Sequence, residues 1–454
     1  MSLAHDEAWL LGRLDEALQG ATAEVELSAE AGRVGTMRFA GGRTTQSGDV
    51  EDVVVQARVA HGKRVGSVRT NELSVSSLRA AIAEAGRLAE QQPEGRFCGF
   101  DDGAQPTPVV APSVDPVLRE ADAGARAALL DVVLAEVAGH GLDGAGLVLT
   151  ADQRLAVATS AGCRRAFRRT EARLDVIAAL RGQTATDGAS GRAGAICGSW
   201  AELAARAPEL AADARRTAEA GKAPTTLPPG EYDVLLEPSA VAELMEWLAL
   251  IGFGARAVEE GSSFLSPALQ AGLVTMYDDS LSGEDGCPTL PFNAEGTVKR
   301  RLSCLESGRA GRAAADRLST DDANALTGHA AGLVDEISDS GAVPQHLHWA
   351  AGTDDVEALE TRLGRGLVVR RFHYVNGLLD TRRAVMTGMT RDGLFLVENG
   401  RRTAVRNLRW TEPLLAAFSR IDGVSRARRV VSAGLSSSVF VCPWVLIRGW
   451  HFTS

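Results

Sequence analysis

Apolar and polar residues alternate along three segments near the start of the chain. The segments are AEVELSAEAG, VEDVVVQARVA and KRVGSVRTN, and their period of two predicts β-strands. His61-Gly62 separates the second segment from the third and suits a hairpin turn. The next segment, ELSVSSLRAAIAEAGRLAEQQ, has apolar residues at helical intervals, with Ser74 or Ser76 as its N-cap and Pro93 past its end. We therefore expect strands followed by a long helix.

The rest of the first half continues this mixture of strands and helices. Residues 94–118 are rich in proline, glycine and aspartate and predict a loop. Helical spacing returns in DAGARAALLDVVLAEVAGHG and in SWAELAARAPELAADARRTAEAG, with strand patterns in AGLVLTAD, RLAVATSAG and RRTEARLDVIAALRG between them. The arginines of RRAFRR (164–169) alternate along a strand, which is more typical of a solvated face than of a phosphate site.

The segment KAPTTLPPGEY (222–232) has three prolines and no periodicity, and it predicts a domain boundary. An N-terminal domain over 1–221 and a C-terminal domain over 233–454 follow from it. Turn signals and strand patterns dominate the second half. Helices are expected there over 239–250, 311–318, 354–362 and 411–419. The predicted fold class is α+β, with an N-terminal α/β sandwich-like domain and a C-terminal domain built on a large, mostly antiparallel β-sheet.

The composition is that of a globular protein in water, and it narrows the class of partner. Of 454 residues, 45% are hydrophobic and 23% are charged, and no run approaches the ~20 apolar residues that a membrane helix needs. The first segment predicts an amphipathic helix instead of a signal peptide, so we expect a cytoplasmic location. Six scattered cysteines without a CxxC pair fit free thiols, and the net charge of −10 argues against a nucleic-acid partner.

One predicted helix has the setting of a metal site without its usual ligands. The stretch LLEPSAVAELMEWLALIGFGARAVEEGSSFL (235–265) has helical apolar spacing and leads into a Gly-Ser turn, but it contains no histidine and no cysteine. Leu244, Trp247, Leu248 and Ile251 fall at i, i+3, i+4 and i+7 and form an apolar stripe. This spacing predicts a packing helix.

The histidines offer weaker candidates. His346 and His348 in VPQHLHW are two residues apart, so a strand would place both on one face, although no third zinc ligand lies nearby. His329 in TGHAAG suits either a hydrogen bond that stabilises a turn or a catalytic role. His373 and Tyr374 lie in a strand that enters a turn, where alternation should point one inward and the other outward.

The glycine-rich block MTGMTRDGLFLVENG (386–400) offers polar groups beside tight turns. Asn399-Gly400 favours a hairpin, and Asp392-Gly393 suggests another. Thr390, Arg391 and Asp392 could position an extended peptide backbone or could hold the turn in shape, and the sequence leaves both readings open.

The sequence also contains two acidic pairs and lacks several common catalytic and nucleotide-binding motifs. Glu259/Glu260 and Asp278/Asp279 could bind a cation, although paired carboxylates at turns are more often solvated. The sequence has no GxSxG elbow, no P-loop and no dinucleotide-binding glycine motif. It therefore shows no recognisable hydrolase nucleophile or nucleotide site.

Several segments together resemble the TldD/PmbA family. In the second half they are PFNAEGTVKRRLSCLESGR, NALTGHAAGL, GLVVRRFHYVNGLLDTRRAVMTGMTRDGLFLVENGRRTAVRNLRWTE and the closing PWVLIRGWHFTS, and TGMTRDGLFLVENG is the most specific block. In the first half, ARVAHGKRVGSVRTNELSVSSLRAAIAEAGRLA and LPPGEYDVLLEP also fit, so the resemblance covers essentially the whole chain. Members of this family were first named as modulators of DNA gyrase and are peptidase-related.

The resemblance implies two branches that pair as heterodimers. The TldD branch binds zinc through the two histidines of an HExxxH helix and a cysteine near the C-terminus, with the glutamate as general base. In ungapped register these three helix positions fall on Glu246, Trp247 and Ile251, and residues 430–440 have serines and a glycine where the cysteine is expected. Trp247 cannot act as a base and Ile251 has no lone pair, so the chain resembles the TldE/PmbA branch, which lacks the metal residues.

This branch implies no catalytic residue and no cofactor in the chain itself, with zinc on a TldD-like partner subunit that bears HExxxH. The pair would hydrolyse or mature small unstructured peptides or peptide-like biosynthetic intermediates. The candidate substrate- or partner-binding residues are Thr390, Arg391, Asp392, His329 and His373. One alternative is a self-sufficient peptide-binding or regulatory protein, a homodimer without hydrolytic activity, and another is a metal-independent hydrolase.

Overall fold

The structure, a computed structural model, describes residues 6–111, 113–138, 140–181, 189–333, 341–433 and 438–454. Its helices are α1 (Glu7–Leu18), α2 (Val75–Gln91), α3 (Pro116–Glu120), α4 (Ala123–Ala138), α5 (Trp200–Ala220), α6 (Pro238–Gly252), α7 (Ala255–Glu259), α8 (Val356–Leu363) and α9 (Leu414–Phe418). The strands of a first sheet are β1 (Glu24–Ala40), β2 (Arg43–His61), β3 (Arg64–Thr70), β4 (Leu142–Thr159), β5 (Arg164–Leu180) and β6 (Ser190–Cys197). The strands of a second sheet are β7 (Gly230–Leu236), β8 (Met276–Asp278), β9 (Leu302–Glu306), β10 (Arg309–Ala310), β11 (His346–Trp349), β12 (Gly366–Asp380), β13 (Val385–Glu398), β14 (Arg401–Ala404), β15 (Arg409–Pro413), β16 (Ile421–Ser432) and β17 (Val439–Phe452). The predicted α+β fold class is confirmed.

The first sheet has one face covered by helices and the other covered by the C-terminal half. Its strands are antiparallel in the order β3-β2-β1-β4-β5-β6. On one face, apolar side chains such as Leu27 and Leu174 pack against the four long helices of the first half. On the other face, Arg58 of β2 donates to Glu295, 2.8 Å away in the second half. Side chains alternate along a strand, so residues next to the apolar ones, such as Arg58, point to this second face.

Arg165 of β5 is not on a solvated face, so that reading of RRAFRR was wrong for this residue, whereas Arg164 is exposed. The Arg165 side chain is 3% exposed, and its guanidinium donates to Asp101 at 3.0 Å. Asp101 lies in the predicted loop 94–118, which covers this part of the sheet. The pattern of alternating charge was correct, but the charged face is an interface within the molecule.

The second sheet is mostly antiparallel and closes on itself. Only the β7–β12 and β11–β17 pairs are parallel among the described strands. The pairings run β17-β15-β13-β12-β7, and β7 pairs again with β17, so these five strands form a closed ring. Inside it, the rings of Phe372, Trp410 and Trp450 pack with centroids 4.6 to 5.6 Å apart.

Some local predictions were confirmed and others were wrong. Ser74 caps α2 by accepting a hydrogen bond from the backbone of Ser77, and Asn399-Gly400 makes the hairpin between β13 and β14. Residues 311–318 form no helix. Asp392-Gly393 is not a hairpin either, because both residues lie inside β13, where positive φ angles mark a bulge.

The division of the chain at 222–232 stays a prediction. The first sheet ends at Cys197 and the second begins at Gly230, with α5 between them. None of the described helices is long and apolar enough to cross a membrane.

Candidate functional site

Helix α6 is buried on nearly all sides. The helix begins at Pro238. Proline has no backbone N–H, and this costs nothing here because the N–H groups of the first helical turn have no partner within the helix. As predicted, Leu244, Leu248 and Ile251 are buried, whereas Trp247 is partly exposed. The flanking positions are buried too, including Glu243, so the helix lies within the core instead of showing a polar face to solvent.

The residues at the zinc-motif positions do not fit a zinc ion. Glu246 is 1% exposed, and Ile251 is 5% exposed within the main apolar core. The Trp247 indole packs over Gly377, where an added methyl group would lie 2.7 Å from Cε3. Neither Trp247 nor Ile251 can supply a ligand atom. No group of three or more His, Cys, Asp or Glu side chains able to hold a metal occurs in the described ranges, which leave out 434–437 of the expected cysteine segment.

Cys442, the nearest cysteine to that segment, packs against the same helix as a buried thiol. Its Sγ lies 3.4 Å from Sδ of Met245, and its side chain has no exposure. Burial raises the pKa of the Cys442 thiol well above its usual value. Because metal ligation requires the thiolate, this environment favours a core residue.

A cavity of about 460 Å³ lies between the first sheet and the start of α6. Its walls come from β5, β6 and α5 on one side and from α6, β12, β13 and β16 on the other. Glu243, which lines the cavity, is one helical turn before Glu246. The cavity therefore lies alongside the helix that has the zinc-motif positions.

Arg371 organises one part of the cavity. Its guanidinium lies 3.2 Å from Glu243 Oε1 and 3.1 Å from Asp392 Oδ2. Asp392 Oδ1 in turn accepts a hydrogen bond from Ser190 Oγ of β6 at 2.8 Å. The β13 bulge at Asp392 gives this side chain its position, and the network joins the first sheet to the second. Burial raises the pKa of Glu243, although Arg371 opposes the rise.

A second set of ion pairs also lines this cavity. Asp175 of β5 accepts from Arg173 at 2.9 Å and from Arg192 at 2.8 Å, and Arg370 of β12 donates to Asp213 at 2.6 Å. Burial alone would raise the pKa of Asp175, but the Arg192 and Arg173 guanidinium groups outweigh it and the pKa is lowered. These carboxylates are already bound to arginine, so they serve as fixed acceptors and not as free general bases.

Of the predicted site residues, Asp392 lines the cavity and its neighbours do not. Thr390 is 1% exposed, and its Oγ1 accepts from the backbone of Leu408 at 2.9 Å, so it holds the strand in place. Arg391 is paired across the sheet with Arg371. Burial, with Arg391 and Arg371 nearby, lowers the pKa of His373 to about 4.

His329 belongs to a different region. It has no exposure, and its Nε2 is hydrogen-bonded to Asp278 Oδ1 at 2.9 Å. Asp278 also accepts from the backbone N–H of His346 at 2.6 Å and is itself fully buried, so the solvated reading of this carboxylate was wrong. Glu259 and Glu260 are exposed, as predicted.

Four residues of the cavity network were not predicted from the sequence: Ser190, Asp175, Glu243 and Arg371. A signal for Asp175 was present, because charged residues recur every second position in RRTEARLDV. Nothing local distinguishes Ser190 or Glu243, since their roles depend on contacts with distant strands.

Both halves of the chain match models of known protein families. Residues 229–454 match the model of the PmbA/TldA metallopeptidase C-terminal domain, and residues 25–89 match that of PmbA/TldA metallopeptidase domain 1. The chain belongs to the TldD/PmbA family. The resemblance stated from the sequence is thereby confirmed, although no curated protein sequence matches the chain.

Three solved structures resemble this TldD/PmbA member over nearly its whole length. A candidate modulator of a DNA gyrase from Thermotoga maritima is 17% identical with a TM-score of 0.82, over 98% of this chain and 100% of that one. TldE from Thermococcus kodakarensis is 14% identical with a TM-score of 0.79, over 98% and 99%. A candidate modulator of DNA gyrase from Bacteroides thetaiotaomicron is 15% identical with a TM-score of 0.75, over 100% of both chains. At such identities the likeness shows the fold alone.

Proposed function

We propose that this chain is the non-catalytic, TldE/PmbA-like subunit of a heteromeric zinc metallopeptidase. A TldD-like partner with an HExxxH helix would bring the zinc, and this chain would supply part of the wall around the substrate. The substrate would be a small unstructured peptide or a peptide-like biosynthetic intermediate. The complex would work in the cytoplasm.

The observation behind this proposal is the replacement of the zinc-motif side chains on α6. The helix and its family domain are kept, but Trp247 and Ile251 offer neither a base nor a ligand atom. A peptidase of this family without its own metal requires the catalytic group from elsewhere. A partner that retains the motif is the simplest source.

The cavity beside α6 has features that suit an extended peptide. Residues 192–196 of β6 and 429–432 of β16 line it in unbroken runs. Within the described part of the chain, β6 pairs only with β5, and this part of β16 only with β17, so each strand has an edge without a ladder partner. An extended peptide can add to such an edge, whereas a folded protein cannot enter. Asp392 and Arg371 would then contact its side chains or termini.

The test is expression of this chain with and without an HExxxH-bearing relative from the same genome. We expect the two chains to co-purify with about one zinc ion per pair and to hydrolyse unstructured peptides together. The matched control replaces the first histidine of the partner's motif, which should remove both zinc and activity while leaving the complex intact.

Two outcomes would decide against the proposal. Peptide binding by a homodimer of this chain, with no association to the relative, would support the self-sufficient binding protein instead. Hydrolysis by this chain alone in the presence of a chelator would support a metal-independent hydrolase.

A further inference from the structure

The charged face of β5 continues past the first cavity into a second one. Arg173 and Asp175 line the first cavity, and Phe167, Arg169 and Glu171 line another of about 370 Å³. These five residues are alternate positions of one strand and therefore share a face. From Phe167 to Asp175 the strand spans about 26 Å at roughly 3.3 Å per residue. The two cavities thus follow one another along this face of β5, and we call this series of cavities the cleft.

One part of the wall of the second cavity is apolar. Leu155 and Phe167 contribute from the first sheet, and Leu290 and Val439 contribute from the opposite side. Leu155, Phe167 and Leu290 belong to one apolar cluster that links the two halves of the molecule. A cavity of this size and lining takes an aliphatic side chain more readily than a charged one.

Arg169 gives this cavity a cation without a carboxylate. Within the described residues its one hydrogen bond runs from Nε to Gln153 Oε1 at 2.9 Å, and it makes no ion pair. Its neighbours on the same face differ, since Arg165 is paired with Asp101 and Arg173 with Asp175. The terminal guanidinium nitrogens of Arg169 are therefore available to bind a carboxylate through two parallel hydrogen bonds.

His346 borders the same cavity and is also short of partners. It is 4% exposed, and neither ring nitrogen has a hydrogen-bond partner in the described part of the chain. The charges of Lys299 and Arg169 act on the His346 ring, and the Asp278 carboxylate opposes them. A buried donor without a partner is costly, and an anionic group in the cavity would accept a hydrogen bond from the His346 ring.

Three carboxylates line the cavity as well. Glu30 accepts from the backbone of Leu333, Asp52 accepts from the backbone of Val53, and Glu171 follows Arg169 by two positions. They disfavour a ligand that is anionic along its whole length, such as a polyphosphate. They suit the amide N–H groups or the ammonium group that accompany a carboxylate in a peptide or an amino acid.

We infer that this second cavity binds an α-carboxylate next to an apolar side chain, with Arg169 as the carboxylate anchor. Such a group occurs at the carboxyl end of a peptide lying in the cleft and also in a free amino acid. The assignment to a peptide rests on the proposed function, whereas the recognition of the carboxylate does not.

The test uses the full chain without any partner and measures binding by calorimetry. The probes are an acetylated Ala-Ala-Leu peptide, its carboxyl-terminal amide and free leucine. We expect the free acid to bind at least about tenfold more tightly than the amide, because the charge-assisted pair with Arg169 is lost in the amide. Arg169→Gln should abolish this preference, and Arg169→Lys should retain part of it.

The matched control is Arg181→Gln, which removes an exposed arginine just past the end of β5, paired with Asp143 outside both cavities. It should leave the preference unchanged. Equal binding of acid and amide, no binding of either, or an unchanged preference in Arg169→Gln would each overturn the inference. Equally tight binding of free leucine would support it and identify a free amino acid as the source. Since no hydrolysis is measured, failure of the heteromeric peptidase would leave this result intact.

Discussion

Helix α6 and the cleft face of the first sheet lie side by side and differ in almost every respect. The helix is buried on nearly all sides and rich in leucine, alanine and other apolar residues. The cleft face has a run of arginine and acidic residues, most of them in ion pairs with N–O distances of 2.8 to 3.0 Å. From α6, Glu243 joins these polar groups through Arg371. One region offers packing, and the other offers fixed polar groups.

The difference separates catalysis from recognition. In a zinc peptidase both functions meet at one helix, since the metal ligands face the bound substrate. Helix α6 contains no histidine and no cysteine, while the neighbouring cleft has donors, acceptors and strand edges. We therefore expect substitutions in α6 to act on stability and substitutions in the cleft to act on binding as well.

The largest expected loss of stability comes from the core of α6. Leu248→Ala should lower the free energy of unfolding by about 3 kcal/mol, because Leu248 has no exposure and its removal leaves a cavity. Denaturant unfolding measures this change. Leu273→Ala is the same substitution at a side chain that is 89% exposed and should change stability by less than about 0.5 kcal/mol. Equal effects at the two positions would contradict the burial of α6.

A somewhat smaller loss is expected in the cleft. Arg371→Gln leaves Glu243 and Asp392 without their cation, and we expect a cost of about 2 kcal/mol, because water in the cavity can solvate part of the released charge. The control is Arg365→Gln, which breaks an exposed pair with Glu398 and should cost less than about 1 kcal/mol. If both variants unfolded alike, the cleft network would be no more than a surface feature.

The contact between α6 and β12 gives a third and weaker effect. Gly377→Ala places a methyl group 2.7 Å from Cε3 of Trp247, so the indole must shift, at a cost of about 1 kcal/mol. Gly95→Ala meets no atom within 4 Å and serves as the control for the glycine substitution itself. Tryptophan fluorescence should report the displaced ring only in the first variant.

The smallest effect is a pH dependence at the edge of the cleft. The pKa of His373 is lowered to about 4 in the folded protein, below its unfolded value, so the folded state binds the proton less well. Stability from this group is present above about pH 6.5 and is lost as the pH falls towards 4. Solvent screening limits the loss to less than about 1 kcal/mol. His373→Gln should remove it, and a ring proton that is assigned to His373 by its absence from this variant and that titrates near pH 6.5 in NMR spectra would contradict it.

The sequence predicted those parts of the fold whose signals are local. The Ser74 cap, the Asn399-Gly400 hairpin and the apolar spacing of α6 depend on neighbouring residues, and they agree with the structure. The bulge at Asp392 looked like a turn, because Asp-Gly favours positive φ in both settings. The pairs Val369–Leu394 and Arg371–Arg391 of the ladder with β12 lie on either side of the bulge, so β13 continues past it.

The candidate site was harder to predict because most of its contacts are long-range. Ser190 and Asp392 are 202 residues apart, and Glu243 and Arg371 are 128 residues apart. Paired carboxylates such as Asp278 were expected in solvent, but this one is fully buried, where it is hydrogen-bonded to His329 and to the backbone of His346. Only the tertiary arrangement shows which charged residues face the cleft.

The most direct test of the central claim, that α6 cannot hold a divalent metal, is anomalous diffraction at the zinc edge from crystals of this chain alone soaked in zinc. We predict no peak at bonding distance, about 2 Å, from the carboxylate of Glu246. A fully occupied peak there, coordinated by Glu246, would contradict the assignment of this chain as the subunit without metal.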